Sequence, residues 1–334
     1  MSGAGRRNVT GRDARAATRR GGRGGPWSAV GVVLLALAGP WIAPYPPERQ
    51  EDAAGARLLP PLTRAHALSA GPHRTLIVTR LRRTTDGWEF DRAGRRQALA
   101  ATDLAEEPAP RFYLLGTDTL GRDLLSRLLY GARHTVGLAA LCVALALVVG
   151  IGTGASAGLA GGLWDEVLMR GVDVLMSIPR LLVVLVCAAL FGPSIPLLVF
   201  VLGGTTWTGL ARLARAETLA FRESGLAHAA RAAGASAPRL VLRHLVPQIT
   251  PLLVVFAALR FADTIVLESA LSFLGLGVPP PAVSLGDVLA SGREALHEAW
   301  WVSAAPGLLI TAIVLSVRST ARGLFRLQDP PSLA

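Results

Sequence analysis

Apolar runs of about 17–25 residues recur along this chain, the length a helix needs to cross the hydrocarbon core of a bilayer. They fall at residues 27–43, 135–157, 172–191, 195–213, 250–271 and 302–317. A chain with six such stretches has few folding options, because every backbone polar group inside lipid must be satisfied within its own segment. The pattern predicts an all-α polytopic membrane protein with six transmembrane helices, the third kinked at Pro179. The chain is 51% apolar, which two soluble domains would also allow, but the clustering into spans excludes them.

Charge then orients the spans. The net charge is +11, and all 34 basic residues are Arg, with no Lys anywhere. The Arg sit beside the apolar runs, without zinc-finger spacing or a basic–aromatic surface, so nucleic acid is excluded as a partner. Residues 1–26 carry seven Arg and much Gly, which predicts a disordered basic tail. Residues 214–247 hold Arg215, Arg222, Arg231, Arg239 and Arg243 against Glu217 and Glu223. Arg318, Arg322 and Arg326 follow the last span into a tail at 319–334. By the positive-inside rule all three lie in the cytoplasm, with both termini inside and the lipid bilayer between. Ala36-Leu37-Ala38 mimics a signal-peptidase site, but apolar character continues through Trp41 and Ile42, which predicts an uncleaved anchor at 27–43.

Enzyme chemistry has little foothold. A phosphate-binding P-loop needs a Lys, which this chain lacks, so any ATP and Mg must be bound by other subunits and no cofactor belongs to this chain. Gly154-Ala155-Ser156-Ala157-Gly158 matches GxSxG, and Gly152-Thr153-Gly154 opens a loose dinucleotide fingerprint. Both lie inside an apolar helix rather than between strand and helix. Gly150, Gly154, Gly158 and Gly162 instead form a small-residue face for close helix approach. Cys142 and Cys187 lie in apolar runs and predict no disulfide. No histidine pair has metal-ligand spacing, and the chain is not read as an enzyme.

Between the first two spans, residues 44–114 read as an external insert containing β-structure. Thr75-Leu76-Ile77-Val78-Thr79 is strand-like, and the Asp86-Gly87 turn is followed by alternating Trp88 and Phe90. Residues 115–134 read as an external amphipathic helix capped by Asp118, with Leu120, Leu124, Leu125, Leu128 and Leu129 on one face. Residues 135–318 are the core domain.

The stretch 226–251 is polar and Arg-studded between two spans. Ala229, Ala230, Ala232 and Ala233 favour helix, Gly234 supplies a left-handed stop, and Ser236 with Pro238 starts a second helix. Pro247 and Pro251 mark re-entry into the membrane. Ala229-Ala230-x3-Gly234 followed by His244-Leu245-x-Pro247 resembles the cytoplasmic EAA loop of bacterial ABC-importer permeases, in the dipeptide/oligopeptide/nickel group. LGTDTLGRDLLSRLLYGAR from Leu115 and the run Glu268 to Gly277 resemble further signatures of that group. The resemblance implies the type I ABC-importer permease fold in a bacterial inner membrane. It further implies a second related permease subunit, two ATP-binding subunits and an external solute-binding protein as partners. It makes His228, Ala229, Ala230, Arg231, Gly234, His244 and Pro247 the residues that couple to the ATPase, with His228 standing where the motif has Glu. Peptides are the expected solute, with nickel or another small solute as the alternative; an ion-driven secondary transporter would want an inverted repeat, and none is seen.

Within the fifth span, Arg260, Asp263 and Glu268 are ionisable at membrane depth. Arg260 and Asp263, three apart, share a helix face. Such groups face a cavity or another helix, so all three are read either as lining a translocation path or as locking the bundle.

Overall fold

The structure, a computed structural model, describes residues 27–50, 52–70, 75–85, 87–92, 95–104 and 106–328. The two tails expected at 1–26 and 329–334, and Asp86 of the expected turn, lie outside the described residues. Helix α1 is Trp27–Ile42. Six short strands follow: β1 Thr63–Ser69, β2 Thr75–Val78, β3 Leu81–Arg83, β4 Gly87–Arg92, β5 Arg95–Ala100 and β6 Ala109–Tyr113. They form two antiparallel three-stranded sheets, ordered β2-β1-β6 and β3-β4-β5. Ala65, Ala67, Ile77 and Tyr113 make one small core. Leu68, Leu76, Val78 and Phe90 make the other. Asp52 ties the two sheets. It accepts from Ile77 N–H at 3.0 Å in one and pairs with Arg92 at 2.8 Å in the other.

Helix α2, Leu124–Ala160, is the axis of the molecule: 37 residues without proline, about 55 Å at 1.5 Å per residue. It replaces two expected elements, the separate amphipathic helix at 115–134 and the second span. Gly116 and Gly121 take φ of +79° and +75°, a left-handed backbone that keeps the segment before Leu124 out of helix. Asp118 therefore closes a tight turn, accepting from the N–H of Leu120 and Arg122 at 2.9 Å. Asp123 is the real cap, accepting from Ser126 N–H at 2.7 Å. Beyond it Leu124, Leu128, Ala132, Val136 and Ala139 are buried on one stripe with nothing to interrupt the helix.

Helices α3 (Gly162–Ser177) and α4 (Arg180–Phe191) meet at a 79° bend. Residues 164–170, between the expected second and third spans, are thus helical, and the third span is broken rather than kinked. Ile178, pushed into extended conformation before Pro179, makes the break. Helix α5, Ile195–Arg222, packs along α2. A β-carbon on Gly150 would meet Leu210, one on Gly154 would meet the Ala211 carbonyl at 2.2 Å, and one on Gly158 would meet Thr218. Gly162, the fourth member of the expected glycine face, lies beyond α2 with φ +56° and nothing near it.

Helix α6 (Gly225–Ala232) and the single turn α7 (Ala237–Leu240) lead through a π-turn, Val241–Leu245, into α8, Val246–Phe273. Pro247 has no N–H for the Arg243 carbonyl, and a widened turn accommodates such a gap. The prolines therefore do not separate loop from span: Ala237–Phe273 is one run of 37 residues. Helix α9 (Leu285–Ser291) folds back onto the bundle, and α10, Trp301–Gln328, completes it. Among the described residues, four helices are long and apolar enough to cross a membrane, or five if α3 and α4 form one span. Helix α1, at 16 residues, is shorter than each of those four.

Candidate functional site

The β-subdomain and the 226–251 hairpin lie at opposite ends of α2. At the first end, Leu124 N–H donates to the Gly116 carbonyl and Tyr45 N–H to Ser126 Oγ at 3.1 Å. At the other, Leu159 joins Arg222, Glu223, His228, Arg231 and Leu240 around a cavity of about 480 Å³.

Local chemistry explains the hairpin. Ser224 caps α6, accepting from Ala227 N–H at 3.3 Å. The helix then closes with Gly234 N–H donating to the Arg231 carbonyl at 2.9 Å and Ala235 N–H to the Ala230 carbonyl at 3.0 Å. This pair of bonds is the Schellman arrangement, which needs a left-handed residue, and Gly234 supplies it with φ +78°. Ala227 is fully buried among Phe221, Leu240, Leu245 and Ile249, so α6 is seated on the ends of α5 and α8. His228, Ala229, Arg231, Gly234 and Pro247 are exposed, while Ala230 and His244 are half-buried. Leu226 and Leu242, 53% and 70% exposed, stand on the same hairpin and were not singled out from sequence. Their apolar size beside a polar run was the available signal. The structure thus gathers the expected hairpin residues on one end of the molecule, with a rigid turn at their centre.

The ionisable residues of α8 separate into two places. Asp263 pairs with Arg260 at 3.6 Å and, from α10, with Arg318 at 2.8 Å. The Arg260 guanidinium also lies 4.8 Å from the Phe256 ring centroid. Arg318, read from sequence only as a flanking positive charge, reaches back into the bundle. Glu268 is elsewhere. It is fully buried, accepting from Thr135 Oγ at 3.1 Å and Ser272 Oγ at 2.7 Å. Thr135 Oγ in turn accepts from Leu285 N–H at 3.1 Å. Glu268 thereby ties α2, α8 and the start of α9 together.

A second buried knot escaped the sequence reading. Arg127, 1% exposed, donates to Asp118 at 2.6 Å and to Asp287 of α9 at 2.6 Å. Burial pushes the Asp287 carboxyl up, with Arg122 pulling it down and Asp118 pushing further up. Nothing in linear spacing pairs residues 160 apart. Among the described residues no group of three His, Cys, Asp or Glu could hold a metal ion. Both cysteines are free.

Residues 150–330 match the model of the binding-protein-dependent transport system inner membrane component family. The di/tripeptide transport system permease protein DppC of Pseudomonas aeruginosa is 32% identical over 314 residues, covering 94% of this chain and 89% of that one. A Brucella suis protein named as a peptide transport system permease is 36% identical over 227 residues, 67% of this chain and 75% of its own. Among solved structures, a chain of the MetNI methionine ABC transporter in an inward-facing conformation superposes with a TM-score of 0.50. That match has 18% identity and covers 61% of this chain and 97% of that one, a likeness of fold.

Proposed function

We infer the working of this protein from one premise: the chain belongs to the binding-protein-dependent transport system inner membrane component family, as a permease subunit of an ABC importer. It is a transport subunit in the membrane, not an enzyme. On our reading α1, α2, the α3–α4 pair, α5, α8 and α10 are six spans, with both termini and the hairpin in the cytoplasm and residues 44–114 outside. Arg excess around the hairpin and in the last turns of α10, at Arg318, Arg322 and Arg326, supports that orientation. The solute is a di- or oligopeptide, as the names of the relatives suggest; nickel or another small solute is the alternative. The assembly we propose adds a second related permease, two ATP-binding subunits that hold ATP and Mg, and an external solute-binding protein. Exposed apolar side chains on α3 and α4 and at the break between them, among them Val174, Ile178, Val186 and Phe191, support a neighbour of lipid or protein there.

The observation that carries the coupling reading is the rigid seat of the hairpin. His228, Ala229, Ala230, Arg231 and Gly234, with His244 and Pro247 behind them, form the surface that an ATPase cleft would grip. Because Ala227 is locked among Phe221, Leu240 and Leu245, a push on α6 moves α5 and α8 together. Leu226 and Leu242 add apolar anchors. His228 in place of the motif Glu removes a negative charge, so docking relies on shape and apolar contact. Arg260 and Asp263 lie along the solute path, and Glu268 holds the bundle beside it.

The test is Gly234→Asp. A β-carbon there meets nothing within 4 Å, so the substitution acts through backbone strain of about 1–2 kcal/mol and a new charge. Uptake by the reconstituted complex should fall about tenfold or more while ATP hydrolysis continues. Uptake at the wild-type rate would sink the coupling role.

A further inference from the structure

We propose that the exposed apolar stripe of α3, with Gly171 in its middle, is the seat of a helix from the second permease subunit. This rests on the importer reading above and names where that partner packs. Helix α3 has two unlike sides. On one, Val172 is fully buried, and Asp165 and Asp173 pair with Arg215 and Arg212 of α5. On the other, Leu163, Val167 and Val174 stand 81%, 65% and 63% exposed. At about 100° per residue these three and Gly171 fall within about 80° of arc. Asp165 and Val172 lie on the far side of the helix from that arc. The contacts with α5 therefore fix which side of α3 is turned outward, and that side is apolar.

Helix α3 belongs to a bent pair apolar enough to count as one span, so its outer neighbour is lipid or another membrane helix. Two features favour the helix. The first is Gly171. Glycine is the poorest helix former after proline, and a β-carbon here would meet nothing within 4 Å in this chain. Hydrocarbon tails have no use for such a gap, whereas a second helix does, because a small residue lets two backbones come close. Gly154 shows the same device already closed within the chain, against Ala211 and Ala214 of α5. The second feature is charge. A helix that lies on a membrane surface carries Lys and Arg on its polar face, and the cytoplasmic leaflet is anionic. Helix α3 instead carries Asp165, Glu166 and Asp173 against Arg170, and Arg170 is engaged by Glu166 at 3.7 Å. Its polar side has no basic surplus to hold headgroups. Because α5 leads into the hairpin, a helix seated on α3 joins the second permease to the element that the ATPase pushes.

The complete transporter is purified from membranes through a tag on this chain, with the photo-crosslinking residue p-benzoylphenylalanine in place of Val167. Irradiation should join this chain to a second, different member of the same family, identified by mass spectrometry of the adduct. An adduct with lipid alone, with an ATP-binding subunit or with another copy of this chain overturns the proposal, and so does no adduct at all. Gly171→Leu is the second arm. Leucine is the better helix former and meets no neighbour in this chain, but it overfills a close helix crossing. Recovery of the second permease should fall about tenfold at equal amounts of this chain. Were lipid the neighbour, an added leucine would suit it, and recovery at the wild-type level therefore overturns the proposal. Should G171L leave too little of this chain to compare, the crosslink alone decides. A wild-type complex that yields no second family member and no ATP-binding subunit is a separate failure, of the importer reading, and removes the seat with it.

Discussion

The two ends of α2 are built from opposite materials. At the end beside the β-subdomain, contacts are ionic and buried: Arg127 with Asp118 and Asp287, and Glu268 with Thr135 and Ser272. At the hairpin end the buried contacts are apolar and small, Gly154 against Ala211 and Ala214 and Ala227 among Phe221 and Leu240, with the Arg215–Asp165 ion pair at their edge. Buried ion pairs have one good geometry and lose much when displaced. A seam of small residues tolerates sliding and rocking while keeping backbones close. The comparison teaches where such a protein bends. A fixed knot belongs where the chain must hold its shape, and a smooth seam belongs where helices must move under load.

The largest effect should come from breaking the knot. Arg127→Gln leaves Asp118, which is fully buried, with Arg122 at 2.8 Å as its one remaining arginine among the described residues. Losing one partner of a buried pair costs about 3–5 kcal/mol, and the remaining Arg122 holds the loss near the lower figure. Thermal unfolding of the purified protein should show a clear drop in midpoint, largely recovered when Asp118→Asn is added. If R127Q unfolds like wild type, the ionic end is not the rigid one.

The seam should answer less strongly. Gly154→Ala sets a methyl 2.2 Å from the Ala211 carbonyl, so α2 and α5 must separate slightly. Overpacking of this kind costs about 1–3 kcal/mol, and in this seam it should also slow transport more than it lowers the unfolding midpoint. Gly162→Ala makes a sharp control on the glycine reading. Gly162 faces nothing within 4 Å, so strain at φ +56° is its sole cost and the seam is untouched.

These contrasts show which parts of the structure the sequence could carry. The hairpin was legible because its rules are local: alanines, then a glycine at the left-handed position, then a proline, each decided within a few residues. The spans were legible as apolar runs, although their ends were not. Gly116 and Gly121 stop helix before Leu124, and Ile178 with Pro179 turns the chain by 79°, effects that depend on backbone angles which apolar periodicity does not encode. The ionic contacts were least legible. Arg260 and Asp263 are three residues apart and could be paired on paper. Arg318 with Asp263, or Arg127 with Asp287, depend on which helices become neighbours.

The smallest effect expected near neutral pH is also the one that separates the two ends without a mutation. Burial pushes the Asp52 carboxyl up, but the Arg92 hydrogen bond and the N–H groups of Gly55 and Ile77 outweigh it and hold the group below its ordinary value of 3.8. A carboxylate held lower in the folded state than in the unfolded chain stabilises the fold above the unfolded value, and that contribution is lost as pH falls through the folded value. Amide exchange at Ile77, whose N–H is bonded to Asp52, should therefore keep constant protection from neutral pH down to about 4, after correction for intrinsic rates, and lose it below. Exchange at Ala235, in the turn on Gly234 with no carboxylate partner for its N–H, should keep its protection over the same range. Asp52→Asn should abolish the acid step at Ile77. An equal acid step at Ala235 would mean that the ends unfold as one unit, and the contrast between an ionic end and an apolar end would then describe the contacts without describing how the molecule yields.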